Sequence, residues 1–169
     1  MALKDDLYDL LQPIIAGTVI YSDQNMARPA LPYSTIKVSA FRRVNKDHYG
    51  DPNASGVQTV KGDREFTVNI QNYGNADSVT FLNDVAGKLQ LTSNIDKFMA
   101  KKISCFNTGA VNDLSTLINN TMIESRASLD IFCRIKSSMT DNVGYIDTVS
   151  IAASDDSNAP DYTIVAIDI

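Results

Sequence analysis

Histidine is nearly absent from this chain, cysteine is scarce, and no apolar run is long. The only histidine is His48, and the only cysteines are Cys105 and Cys133. One imidazole leaves little for a metal centre that recruits several His or Cys ligands, and any Ser-His-Asp or Cys-His arrangement would have to be built on His48 alone. Neither a Gly-x-Ser-x-Gly elbow nor a glycine-rich phosphate fingerprint occurs, and Gly50, Gly56 and Gly62 are spaced like turn residues. No apolar stretch approaches the roughly 20 residues that a membrane-crossing helix needs. The start, Met1-Ala2-Leu3-Lys4-Asp5-Asp6, lacks the basic region, apolar run and small-residue cleavage site of a secretory signal, so synthesis in a cytoplasm is expected. There, two distant cysteines are expected to serve as small core hydrophobes rather than as a disulfide. The glycosylation-like triplets Asn53-Ala54-Ser55 and Asn119-Asn120-Thr121 are then without consequence.

Positive charge is also short. Lys and Arg number 15 against 20 Asp and Glu, for a net charge of -5 and a pI of about 4.7. Gripping nucleic acid by neutralising phosphates needs a clustered basic surface, which this balance argues against. An acidic protein can still surround DNA without holding it. At 169 residues with no repeat, low-complexity tract or linker, one domain is expected over 1–169, with a variable loop at 45–62 and a C-terminal extension at 154–169.

What is present is periodicity. Leu3, Leu7, Leu10, Leu11 and Ile14 recur at helical spacing, Asp5 and Asp6 suit the positive N-terminal end, and Pro13 should stop or bend the helix. Thr18 to Ser22 reads as a short strand. Arg28-Pro29-Ala30-Leu31-Pro32-Tyr33 must be extended, because residues before proline are pushed out of the helical region. It leads into a strand from Ser34 to Val44, with Ile36, Val38 and Ala40 on one face and Thr35, Lys37, Ser39, Phe41 and Arg43 on the other. Asn45 to Gly56 reads as a long loop, after which Val57 to Arg64 turns back.

From Arg64 to Gly74 the alternation is strict. Phe66, Val68 and Ile70 share one side, and Glu65, Thr67, Asn69 and Gln71 share the other. The second side is rich in hydrogen-bonding groups and poor in charge, which suits contact with protein better than catalysis. After Gly74 the period becomes helical: Asn75 or Asp77 caps a helix striped with Val79, Leu82, Ala86 and Leu89 and widened by Phe81 and Val85. Ser93 with Asp96 resembles a capping box opening a second helix that carries Ile95, Phe98 and Met99, with Lys101 and Lys102 at its end. Ile103 to Phe106 predicts a short strand, and Val111 to Leu117 a turn or a single helical turn.

Ile123 to Ile135 is the clearest strand. Its odd positions, including Ala127, Leu129, Ile131 and Cys133, are mostly apolar, while Glu124, Arg126, Asp130 and Arg134 fall on the even side. Ser137 to Asn142 reads as a turn leading to a returning strand at Val143 to Ala153, which would make an antiparallel hairpin. Tyr162 to Ile169 is apolar on both alternations, as for a buried strand or one covered by another subunit. The order predicts an α+β fold: one antiparallel, or mixed, sheet with helices packed on it.

Few residues invite chemistry. His48 with Asp47 and Asp51 reads as a solvated loop, and Asp155, Asp156 and Asp161 as turn formers. Glu124, Arg126 and Asp130 share a strand face, where two carboxylates flanking an arginine could bind a cation in a small metal-dependent nuclease, with Asp147 as a further acid. Ion pairing across strands or subunits uses the same spacing and is the preferred reading.

Two segments, Arg28-Pro29-Ala30-Leu31-Pro32-Tyr33-Ser34-Thr35-Ile36-Lys37-Val38 and Arg64-Glu65-Phe66-Thr67-Val68-Asn69-Ile70-Gln71-Asn72-Tyr73-Gly74, resemble signature segments of the bacteriophage neck and tail terminator proteins. Val111-Asn112-Asp113-Leu114-Ser115, Glu124-Ser125-Arg126-Ala127-Ser128-Leu129-Asp130 and Val143-Gly144-Tyr145-Ile146-Asp147-Thr148-Val149 follow in the same order. The resemblance covers about Arg28 to Ile151. It implies a non-enzymatic virion protein without cofactors that assembles as a ring, commonly a hexamer, on the head-proximal end of the tail. The implied partners are further copies of the chain, the tail tube protein, head-tail connector or neck proteins, and the tail sheath where there is one, with DNA passing through the lumen. Under that reading the polar faces carrying Arg64, Glu65, Thr67, Asn69, Gln71, Glu124, Arg126 and Asp130 serve subunit packing or the channel wall. A monomeric adaptor is the remaining alternative.

Overall fold

The apolar stripe at the N-terminus folds as helix α1 (Leu3–Ile15) and buries Leu7, Leu10, Leu11, Ile14 and Ile15. Pro13 occupies the last turn, and Ala16 and Gly17, with φ of 63° and 72°, end the helix in left-handed backbone. The structure is a computed structural model that describes residues 3–25, 27–118, 122–144, 150–152 and 163–165. Two units divide the chain: Met1–Val44 with Asp63–Lys136, and Asn45–Gly62 with Ser137–Ile169.

The elements after α1 are β1 (Thr18–Tyr21), β2 (Tyr33–Arg43), β3 (His48–Tyr49), β4 (Val57–Tyr73), α2 (Ser78–Leu89) and α3 (Thr92–Ala100). Then come β5 (Ile103–Thr108), β6 (Asn112–Asp113), β7 (Thr116–Ile118), β8 (Met122–Glu124) and β9 (Arg126–Asn142). β10 (Ser150–Ala152) and β11 (Thr163–Val165) complete the order. The fold is α+β with a mixed, mostly antiparallel sheet, as the element order predicts.

In the first unit the strands run β1-β2-β4-β9-β5, with β6 also paired to β9. β1 and β2 are parallel, whereas β2 with β4, β5 with β9 and β6 with β9 are antiparallel. The helices and one sheet face enclose the core: Leu7, Leu11, Ile15, Leu82 and Val85 pack with Ile36, Phe66, Val68, Ile70, Leu129 and Ile131. Burying each such side chain is worth about 1.5–3 kcal/mol relative to leaving it in water. Cys133 is buried and Cys105 half-buried; they are register partners with free thiols, Sγ atoms 2.9 Å apart. That contact and burial hold the Cys133 thiol protonated far above its usual range. In the second unit β3 pairs with Val60 and Lys61 of β4, and β10 pairs with β11 antiparallel.

Of the two expected caps, Asn75 and Asp77, it is Asp77 that caps α2, accepting from Thr80 N at 2.9 Å. The capping box at Ser93 does not form. α3 begins at Thr92 with Leu91 in the cap position, because the turn from α2 is so short that Leu91 O itself receives Asn94 N and Ile95 N. The Asn94 side chain instead closes α2, donating to Lys88 O at 2.8 Å.

Four further expectations are corrected. Val111 to Leu117 is not helical: Asn112 and Asp113 pair with β9, and Thr116 opens β7. Ile123 is not in the core but on β8, 74% exposed, because the chain breaks at Ser125. Ser125 spends its carbonyl on Gly74 N (2.9 Å) and its hydroxyl on Ser78 N (3.0 Å), so it closes the β4–α2 connection instead of continuing the strand. Ser137 to Asn142 contains neither Gly nor Pro and extends β9 rather than turning. The partner of β10 is β11, lying inside the apolar segment Tyr162 to Ile169, rather than the preceding long strand. Asp147, Asp155, Asp156, Asp161 and the Asn119-Asn120-Thr121 triplet lie outside the described residues.

Candidate functional site

β4 divides its side chains as its alternation requires: Phe66, Val68 and Ile70 are buried, while Thr67, Asn69, Gln71 and Tyr73 are half-buried on the other face. β2 adds Thr35, Lys37 and Ser39 to that face, opposite Gln71, Asn69 and Thr67. β9, next to β4, adds Arg126, Asp130 and Arg134.

Glu65 is the buried carboxylate of this face. Its carboxylate accepts from Arg42 Nη2 (2.6 Å) and Nε (2.9 Å) on one side and from Arg134 Nη2 on the other. The bonds from Arg134 and then Arg42 outweigh desolvation and hold the Glu65 carboxyl below the usual carboxylate range. Arg42 reaches Glu65 because β2 has a bulge between Ser39 and Arg42, with Ala40 at φ 55°. The extra residue inverts the alternation beyond it. Phe41, expected on the polar face, stacks on Phe66 with ring centroids 5.1 Å apart, and Arg42 takes the polar side.

A second network occupies the middle and far end. Asn69 Nδ2 donates to Asp130 Oδ1 (2.7 Å), and Asn69 Oδ1 accepts from Gln71 Nε2 (2.9 Å). Gln71 Oε1 accepts from Tyr73 OH (2.8 Å) and from Arg126 Nη2. The Arg126 guanidinium lies over the Tyr73 ring, 4.7 Å from its centroid. Tyr73 stacks on Tyr33 at 4.7 Å, and Arg28 sits over both rings at 5.6 Å from Tyr33 and 5.9 Å from Tyr73. Arg28 Nη2 also pairs with Glu124 Oε1.

Thus Glu65, Asn69, Gln71, Arg126 and Asp130 come together on one face with Thr67. Glu124 stands apart on β8, joined to them among the described residues through Arg28 and the tyrosines. Arg64 falls on the other alternation, opposite Arg43, and donates to Asp63 O. Sequence reasoning passed over Arg28, Tyr33, Arg42 and Tyr73 as site residues. Arg134 could have been found from its spacing of four from Asp130, itself four from Arg126. Arg42 could not, because its side of the strand is set by the bulge.

The chemistry of this face is recognition by fixed hydrogen bonds. The Glu65, Asp130 and Glu124 carboxylates are each held by donors of the same chain. Among the described residues no group of three or more His, Cys, Asp or Glu side chains could hold a metal ion, and no helix is long and apolar enough to cross a membrane. His48 is exposed on β3.

The family model described as phage neck terminator protein matches residues 5–157, and the chain belongs to that family. No curated protein matches it. The family is a structural one of the phage neck, not an enzyme family, which assigns the chain a structural role among the head and tail proteins of a virion.

Proposed function

We propose that this chain closes into a ring, commonly a hexamer, on the head-proximal end of the tail tube, where it ends tube polymerisation and offers the surface that joins the head. Membership of the neck terminator family carries this reading. Such a ring needs a heterologous contact between copies that closes by rotation. The tube protein lies on one side of it and connector or neck proteins on the other, with sheath around it in a contractile tail.

The polar face of β2, β4 and β9 is the proposed channel wall or packing surface. On it Glu65 is paired with Arg42 and Arg134, Asp130 is held by Asn69 and Arg126 by Gln71, and the chain is acidic overall. The net charge of the chain is compatible with a wall past which DNA moves without being held. Electron microscopy of particles lacking the protein tests the reading: overlong or headless tails are expected, and tails of normal length already joined to heads would refute it.

A further inference from the structure

Two of the apolar patches that the first unit leaves in solvent lie near opposite ends of the part of β9 in that unit. One follows α3, where Leu91, Ile95 and Met99 recur at i, i+4 and i+8 and therefore form one line; they are 54%, 40% and 64% exposed. Met99 also borders a hollow of about 350 Å³ whose walls include Ile103 and Ile135. The other patch is the β7–β8 hairpin, a two-stranded sheet of its own. Its register sets Leu117 directly against Ile123, so both occupy one face, 55% and 74% exposed. Met122, on the hairpin's other face, is 72% exposed.

β9 separates the two patches. The hairpin joins it at Arg126 and the hollow opens at Ile135, about 30 Å away at roughly 3.3 Å per residue. One copy cannot cover its own hairpin with its own helix. Charge differs between the ends as well. Beside the hairpin stand Asp113 and Asp77, close enough for Asp77 to act on the Asp113 carboxyl, while Glu124 of β8 is offset by Arg28 and Arg126 is bonded to Gln71. The hollow carries Lys102 and Lys136 against a single acid, Asp63, since its Arg134 is committed to Glu65, while Lys97 and Asp96 on α3 offset each other. An apolar projection with acidic neighbours and an apolar recess with a basic rim are the two unlike surfaces that a heterologous contact requires.

We propose that the β7–β8 hairpin of one copy docks on the α3 line and its hollow in the next copy, with Leu117 and Ile123 against Met99 and Ile95. The partner is a second copy of this chain, and the inference rests on the ring reading above.

The test uses the full chain carrying Met99→Cys and Ile123→Cys together, oxidised gently in solution and on tail tubes, with each single variant as control. Inter-chain bridges are expected from the double variant, as a covalent ladder ending in a closed species, and only at background from either single variant. Separately, Ile123→Glu and Met99→Glu should each raise the concentration needed for assembly about tenfold or more, and Ile123→Glu with Met99→Lys should recover most of it. Unchanged thermal unfolding of these surface variants excludes a folding defect. Assembly without hairpin-to-helix bridges, or bridging by Met99→Cys alone, overturns this contact while leaving the ring intact. A chain that stays monomeric at every concentration and on tubes overturns the ring itself.

Discussion

Arg42 stands across from Glu65, its Nη2 2.6 Å from Oε2, although uninterrupted alternation along β2 would put Phe41 there. The bulge at Ala40 makes the exchange. It turns the Phe41 ring to the Phe66 side of the sheet, where it stacks on Phe66 while staying 56% exposed, and brings a cation to the Glu65 carboxylate, which Arg134 approaches from the other side.

That arrangement has a pH signature. The Glu65 pKa is lowered from 4.5 in the folded chain, so its contribution to stability is present above that value and is lost as pH falls through the folded pKa. Thermal unfolding followed from about pH 7 down to about pH 3 should therefore show a steeper loss for the wild type than for Glu65→Gln, which starts lower. Parallel curves would mean that the pair of arginines does not act through charge.

Ala40→Val tests the bulge. In a regular strand valine is favoured, but at φ 55° a β-branched side chain is strained. A loss of about 1–3 kcal/mol in denaturant unfolding is expected, against the usual strand preference. A neutral or stabilising result would indicate a strand without the bulge.

Gly74 ends β4 at φ 77°, and a Cβ there would meet Leu31 Cβ at 2.8 Å. Gly74→Ala should cost about 1–3 kcal/mol, from strain and from pushing back the extended segment before Tyr33. Pairing it with Leu31→Gly in a double-mutant cycle should recover the steric part and leave the backbone part.

Arg126→Glu removes the bond to Gln71 and the contact over Tyr73, and sets a carboxylate against the Gln71 Oε1 acceptor. The ring should weaken, read by light scattering across concentration, while secondary structure by circular dichroism persists. Unchanged oligomeric mass would count against the polar face as a packing surface and leave the channel wall as its proposed role.

Leu129 is fully buried at the centre of the core, and Leu129→Ala should cost about 2–5 kcal/mol. Its value lies in comparison: a core variant lowers the unfolding temperature, whereas Arg126→Glu should lower assembly first.

Much was legible in the chain alone. The strict alternation from Arg64 to Gly74 set which side chains of β4 enter the core, and the stripe of Val79, Leu82, Ala86 and Leu89 set the inner face of α2, although Val85 from its flank is buried where Val79 and Ala86 are half-buried. Of the two candidate caps, Asn75 and Asp77, the structure uses Asp77. The ordered segments around Arg28, Arg64 and Glu124 pointed to the family that the chain belongs to. These are local properties: a period of 2 or 3.6 and a cap are fixed by neighbours within a few residues.

The polar face was legible only as a list. The partner that each side chain takes depends on strand register, and register couples residues 61 positions apart for Asn69 with Asp130 and 69 apart for Glu65 with Arg134. One added residue at Ala40 reversed the outer half of β2, and one serine turned aside at position 125 split an apparently continuous strand in two. The pattern of the chain by itself determined which residues go inside. Only the tertiary structure decided which polar groups meet, because that choice is made by backbone hydrogen bonds between distant strands and not by any local period.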